Sequence, residues 1–265
     1  MKKFRYFVVK SDQHIVEPNT KLGGVDTNAR AAELADRIAS EPVLIEAVVD
    51  LGDLADTTVN PVRMEAVATP QTYQQAQSLL GSLPGKKLYL PGNHDSPSLL
   101  YQIMGDNWDS SEAGGYTYRF GTIDFIGIDL RTGPEPTGYL REETATRLQS
   151  ILKDTDGAIL FLHYPWFAVD NGRIDPDLST TNGSRLQEIF SDHNQKILAI
   201  FHGHLHLWWS GIVGRIPVYC SAGSAFAFEL TPGQGGLEKI VDQPRGYYLV
   251  GLGEDNSLIV RPRFV

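Results

Sequence analysis

Six of the seven histidines in this 265-residue chain fall in four short polar clusters: Asp12-Gln13-His14, Asn93-His94-Asp95, His163-Tyr164-Pro165 and His202-Gly203-His204-Leu205-His206. A fifth cluster, Gly52-Asp53-Leu54-Ala55-Asp56, brings two carboxylates. Imidazole and carboxylate groups ligate Zn, Fe, Mn and similar ions. Asp-x-His and His-x-His each place two such groups on one extended segment that a loop can turn toward one ion. Glycines stand before Asp53, Asn93 and His204, where they permit unusual dihedrals and leave room near an ion. Together the clusters point to metal-assisted chemistry. Taken singly, each cluster also reads as a turn, an Asx motif or a satisfied core histidine. Their joint placement carries the inference.

Each cluster ends an apolar run. Residues 4–9, 47–51, 87–90, 158–162 and 197–201 read as strands, the first buried on both faces. Between them lie helical patterns. Asp26 or Thr27 can cap a helix whose Ala31, Leu34, Ala35 and Ile38 share one face. Tyr73, Ala76 and Leu80 align on a second helix, Ala145, Leu148 and Leu152 on another, and residues 184–190 form one more. Residues 117–120 and 123–130 read as a hairpin around Gly121-Thr122. The tail reads as strands at 217–220, 247–252 and 258–260. Strand–helix alternation implies βαβ units, and the β-rich tail suggests a second sheet. Ligands of open α/β sheets bind at the carboxyl ends of the strands, which puts all five clusters on one edge. No repeat or low-complexity linker divides the chain, so residues 1–265 read as a single domain, with 232–236 as a loop inside it.

The formal net charge is −9 and no run of Lys or Arg stands out. That excludes the basic footprint a nucleic-acid binder needs. An acidic enzyme of phosphate esters would repel its substrate unless bound cations reverse the local charge. The lone Cys220 excludes an internal disulfide. No run approaches the roughly 20 apolar residues of a membrane span. The apolar stretch at residues 6–9 is too short for a signal peptide. The chain reads as cytoplasmic, without a membrane partner.

The series Asp12-x-His14, Gly52-Asp53-x-x-Asp56, Gly92-Asn93-His94-Asp95, His163 and Gly203-His204-x-His206 resembles the calcineurin-like metallophosphoesterase superfamily. Residues 24–30, Gly-Val-Asp-Thr-Asn-Ala-Arg, resemble its class III cyclic nucleotide phosphodiesterase and glycerophosphodiesterase branch. Gln13 stands where Thr is frequent, and His163-Tyr164-Pro165-Trp166 replaces His-His-Pro-Pro; neither departure falls on an expected ligand. The resemblance implies an α/β fold: a four-layer αββα sandwich of two packed mixed β-sheets flanked by helices. It implies two divalent or trivalent ions drawn from Mn, Fe, Zn or Ni, with Mn or Fe favoured. Asp12, His14, Asp53 and His206 would hold the first, and Asp53, Asn93, His163 and His204 the second, so that Asp53 bridges. Such ions sit about 3.5–4 Å apart and lower the pKa of a shared water, which attacks as hydroxide in line with the leaving group. His94 would serve as general acid or electrostatic donor and Asp56 would orient it.

The implied substrate is a small phosphodiester, a cyclic nucleotide or a glycerophosphodiester. A phosphomonoesterase is the alternative. The Ser/Thr phosphatase branch carries arginine after the Gly-Asp-x-x-Asp run, whereas Thr57 and Thr58 follow Asp56 here, which favours a diester. The acidic balance counts against a nuclease. An inactive scaffold of the same fold would have lost ligands, yet every ligand position is filled. Asp95 is expected to cap a helix near Pro97, and Asp50 to be a hydrogen-bonded edge residue outside the site. His202 is expected to be structural or at the substrate rim. Trp108, Trp166, Trp208 and Trp209 are expected to pack, or else to stack on substrate. Residues 96–116, 131–140, 164–182 and 221–236 are expected to select the leaving group.

Overall fold

The computed structural model describes residues 3–57, 68–105, 114–132, 135–172, 174–230, 233, 237–240 and 244–265. The first half runs β1 (Phe4–Lys10), α1 (Thr27–Ala39), β2 (Ile45–Asp50), α2 (Pro70–Leu80), β3 (Lys86–Tyr89), α3 (Pro97–Met104), β4 (Gly115–Phe120) and β5 (Ile123–Ile128). Next come α4 (Glu142–Asp154), β6 (Ala158–Leu162), α5 (Ile174–Asp177), α6 (Gly183–Asp192), β7 (Ile197–His202), β8 (Trp209–Val213) and β9 (Ile216–Cys220). The chain ends with β10 (Ala227–Leu230), β11 (Leu237–Ile240), β12 (Gly246–Gly253) and β13 (Leu258–Phe264).

These strands make two mixed sheets, ordered β13-β12-β1-β2-β3 and β4-β5-β6-β7-β9-β8, and a β10-β11 ribbon. In the first, β1, β2 and β3 are parallel and β12 is antiparallel to β1. In the second, β5, β6, β7 and β9 are parallel, with antiparallel β4 and β8 at the edges.

Period-two alternation sorts the side chains into layers. Phe7 and Val9 of β1, Ile159 and Phe161 of β6, and Val250 of β12 face the space between the sheets. There aromatic rings dominate, with Phe7 and Phe125 at 4.7 Å and Phe161 stacked on Phe201 at 5.8 Å. Val8, Val48 and Leu249 face the other way, against Leu34 and Ile38 of α1 and Tyr73 and Leu80 of α2. Leu160, Ile200 and Val218 likewise meet Leu148 and Leu152 of α4 and Leu186 and Phe190 of α6. The outcome is the expected αββα order, two mixed sheets flanked by helices. Asp26 caps α1, its carboxylate accepting from Ala29 N at 2.9 Å.

The β-rich tail, expected to signal a second sheet, divides: β12 and β13 complete the first sheet, β8 and β9 complete the second, and β10 and β11 pair as a ribbon of their own. β12 is buried along all eight residues, a segment that only an interior place in a sheet can satisfy. The five polar clusters therefore lie on one edge of a sandwich, three from the first sheet and two from the second. The loop at 232–236 lies outside the described residues apart from Gly233, as do Thr58 and Trp108. Among the described residues no helix is long and apolar enough to cross a membrane.

Candidate metal centre

Backbone hydrogen bonds carry the strand pairing on into the polar loops. Asp12 N donates to Gly52 O and His14 N to Asp53 O, both at 2.9 Å. The side chains then cross-tie the loops: His94 N donates to Asp53 Oδ1 at 2.9 Å, and His204 N to the Asp12 carboxylate at 3.2 Å. Five of the eight positive-φ non-glycine residues among those described are Asp12, His14, Asp53, His204 and His206. Backbone strain of this kind persists where the surroundings over-determine it, and here it turns five side chains inward. Gly52 takes φ 114°, which glycine adopts without the strain a Cβ would bring. Gly203 does not take such a φ; it is small because a Cβ there would strike Ser11 Oγ and Asp12 Oδ2.

Besides a set that joins His14 and Asp53 to His94, two groups of ligating atoms result. In one, His14 Nε2 and His206 Nε2 face each other at 3.1 Å, with Asp12 Oδ1 3.4 Å from His206 Nε2. In the other, His163 Nε2 lies 3.1 Å from His204 Nδ1 and 3.3 Å from Asp53 Oδ2. The same Asp53 oxygen is 3.8 Å from His14 Nε2, so this carboxylate stands between the groups. Within each group the ligating atoms lie within 4.8 Å of one another. Asn93 Oδ1 is buried with no partner among the described residues.

Facing imidazole nitrogens, buried carboxylates and an orphaned amide oxygen are what cation sites require. The far nitrogens of three histidines are already committed: His14 Nδ1 to Asp56 Oδ2 at 3.0 Å, His163 Nδ1 to Leu51 O at 2.9 Å, and His206 Nδ1 to Phe226 O at 2.8 Å. Such partners fix the tautomer and aim the other nitrogen inward. Burial pushes the Asp12 carboxyl up to about 6, a cost a bound cation would relieve. The residues present thus fit metal ions.

His94 lies beside these groups, with its Nδ1 3.2 Å from Asp56 Oδ2 and its side chain 32% exposed. Burial opposes its charged form, but Asp53 and Asp56 outweigh burial and raise its pKa to about 10. Burial likewise works to raise Asp56, yet His14 and His94 together hold it well below the usual carboxylate range. The geometry is that of a part-exposed imidazole held beside a buried carboxylate next to the ligand groups.

All seven sequence-derived ligands, with His94 and Asp56, come together on this edge. His202 does not join them. It is fully buried, 5.1 Å from Trp209 and 6.4 Å from Phe167 between ring centroids, so the substrate-rim alternative is excluded. Asp50 is no edge residue either. It is buried in central β2, paired with the equally buried Lys10 of β1, and accepts from Gly52 N at 3.0 Å. Asp95 does not cap α3, whose N-cap is Ser96. Its carboxylate instead accepts from Leu54 N, Ala55 N, Gly92 N and the Tyr73 hydroxyl, locking the loop after β2 to the loop after β3.

Trp166 packs on Phe190, Trp208 on Tyr248 and Trp209 on Phe167. Phe226 was not foreseen. It stacks on His206 at 4.5 Å and on His14 at 5.5 Å, besides accepting the His206 proton at its carbonyl. The available signal was that β9, like the other parallel strands, ends in a small polar cluster, Ser221 to Ser224.

A family model described as calcineurin-like phosphoesterase matches residues 6–208. The chain is 27% identical over 203 residues to the glycerophosphodiester phosphodiesterase GpdQ of Enterobacter lignolyticus (strain SCF1), covering 74% of this chain and 69% of that protein. It is 25% identical over 241 residues to a cAMP/cGMP dual specificity phosphodiesterase of Mycobacterium tuberculosis (strain CDC 1551 / Oshkosh), covering 85% and 69%. In fold it is similar to a dimetal phosphatase from Danio rerio, with a TM-score of 0.72 at 15% identity over 98% of this chain and 96% of that one. With well over half of its length inside the family model, the chain belongs to the calcineurin-like phosphoesterases.

Proposed function

We propose that this protein hydrolyses a small-molecule phosphodiester, of the cyclic nucleotide or glycerophosphodiester class, at a dinuclear metal centre. The observation that carries the reading is Asp53 standing between two groups of buried ligands, with the His94–Asp56 pair beside it. Asp12, His14, Asp53 and His206 would hold one ion; Asp53, Asn93, His163 and His204 would hold the other. Mn or Fe is favoured, although mixed imidazole, carboxylate and amide ligands suit Zn and Ni as well. When bound, the ions supply charge stabilisation at the phosphoryl oxygens and a lowered pKa for water.

The protein's own groups do the rest. Leu51 O, Asp56 and Phe226 O hold the ligand imidazoles in register. Protonated His94 donates to the departing ester oxygen, and Asp56 keeps it charged and oriented. The diester preference is supported by the named activities of the relatives, glycerophosphodiester and cyclic nucleotide phosphodiesterases. The net charge of −9 supports a small substrate over nucleic acid. A cytoplasmic location and one domain over residues 1–265 complete the proposal.

The test is a steady-state screen with Mn, Fe, Zn and Ni. It compares bis-aryl with mono-aryl phosphates, then cyclic nucleotides with glycerophosphodiesters, in wild type and His94→Ala. Diesters are expected to win, and His94→Ala to lose turnover by roughly 10²–10⁴-fold while still holding about two ions. Monoesters winning by a wide margin would overturn the substrate class, and unchanged turnover in the variant would overturn the role of His94.

A further inference from the structure

Taking two charges out of water costs free energy, and apolar groups of similar volume in their place are often as stable. A buried ion pair beside the ligand loops therefore asks for a role other than stability. Lys10 and Asp50 are such a pair: their side chains are 0% and 1% exposed, and Nζ meets Oδ2. Neither has a part in the mechanism above.

The two residues stand opposite each other on parallel β1 and β2, each at the last position of its strand. Backbone bonds fix both. Leu51 N donates to Lys10 O at 2.9 Å, and Leu90 N, just past β3, donates to Asp50 O at 3.0 Å. The ammonium takes one carboxylate oxygen. The other, Oδ1, reaches past Leu51 and accepts from Gly52 N at 3.0 Å. An ionised acceptor makes the stronger hydrogen bond, and the ammonium keeps it from rotating.

The Gly52 N–H and the Leu51 carbonyl belong to one peptide group, which is planar and trans. Its two polar ends point opposite ways. Asp50 holds one end. The other, Leu51 O, accepts from His163 Nδ1 at 2.9 Å. The peptide cannot turn at one end without turning at the other. Beyond it the imidazole directs Nε2 to within 3.1 Å of His204 Nδ1 and 3.3 Å of Asp53 Oδ2. The fit is close: a Cβ on Gly52 would fall 2.7 Å from His163 Nδ1 and 2.6 Å from Gly92 N.

We propose that Lys10 and Asp50 are positioning residues for His163: through the Leu51–Gly52 peptide they aim its Nε2 at the Asp53, Asn93 and His204 flank of the centre. The proposal rests on the dinuclear reading above. His14 and His206 are aimed by Asp56 and Phe226 O instead. The Gly52 O that accepts from Asp12 N lies on the next peptide group. The pair therefore bears on one ion far more than on the other.

The probe is Mn(II), titrated by calorimetry into the metal-free protein. Wild type is compared with Lys10→Met/Asp50→Leu, which makes the pair apolar, and with Lys10→Met/Asp50→Asn, which keeps an oxygen for Gly52 N but no charge. His163→Ala identifies which of the two affinities belongs to the His163 ion. In the apolar variant that affinity should fall roughly tenfold to a hundredfold, the other should stay within about threefold, and the melting temperature should hold. The asparagine variant should lose only about threefold to tenfold. NMR of the metal-free protein gives a second readout. The His163 Nδ1 proton, protected from exchange by Leu51 O, should exchange faster in the apolar variant. If the apolar variant does not fold, the asparagine variant decides by the same two measurements.

Unchanged affinities and an unchanged His163 proton, or both affinities lowered alike with an early melt, would overturn the positioning role; diester hydrolysis by wild type would still stand. Wild type that shows the expected pattern yet hydrolyses no ester would support the positioning role and overturn the hydrolase reading. Wild type that takes up fewer than two ions would overturn the dinuclear reading, and the His163 proton alone would then decide the role of the pair.

Discussion

Oδ2 of Asp56 stands 3.2 Å from Nδ1 of His94. The same oxygen is 3.0 Å from His14 Nδ1, so one buried carboxylate touches both a proposed ligand and the proposed acid His94. Asp56→Asn keeps the shape and removes the charge. Turnover should fall roughly tenfold to a hundredfold, as when other partners of metal ligands are lost. Bound metal, measured by elemental analysis, should stay near two ions per chain, and Asp56→Glu should recover part of the loss. Full turnover in Asp56→Asn would mean that His94 does not depend on this partner.

Phe226 makes a different kind of contact. Its ring lies nearly parallel to both His206 and His14, at 21° and 25°. Phe226→Ala keeps the carbonyl that accepts from His206 and removes only the ring. The ion at Asp12, His14 and His206 should then bind roughly tenfold more weakly, while the ion at Asp53, His163 and His204 is unaffected. Calorimetric titration of the metal-free protein should show one of its two affinities shifted, and Phe226→Tyr should restore it. Equal weakening of both ions would sink this assignment.

His202 supplies a pH-dependent term in stability. Burial holds its folded pKa down at about 4, with its Nδ1–H donated to Gly203 O at 3.0 Å. An unfolded histidine titrates near 6.5, so between these values the unfolded chain binds more protons. The stabilisation is full above pH 6.5 and is lost as pH falls toward 4. From pH 7 to pH 5 the loss comes to about 2 kcal/mol. Denaturant melts of the metal-free protein at both pH values should show wild type losing about that much more than His202→Asn, whose amide can donate the same bond without titrating. Equal losses would show that His202 is not the acid-sensitive group.

Much of the centre was legible because each ligand cluster ends an apolar run, and parallel strands deliver their ends to one edge. Where a role depended on distant backbone, the sequence was silent. Leu51 O and Phe226 O orient ligands through atoms that every residue possesses. Asp95 looks like a helix cap because Pro97 follows closely, yet its partners lie some 40 residues back in Leu54 and Ala55. The short strand β8 went unnoticed because Trp209 to Val213 show no alternation, and its middle residues are exposed on both faces. How the tail divides between the two sheets was not legible, since an apolar run such as β12 reveals that it is buried, but not beside which neighbour.

That placement of the tail has a bearing on how the protein comes to be made. Neither sheet can be completed from the first half of the chain: β1 needs β12, about 240 residues later, and His14 meets His206 across 192. Contacts so remote in sequence form late and slowly. A nascent chain that has exposed only its first ligands holds no cage for an ion, so metal can load only after synthesis has passed the last strands. Uptake of metal during refolding would then serve as a clock for the final step of folding, ticking only when both ends of the polypeptide have met.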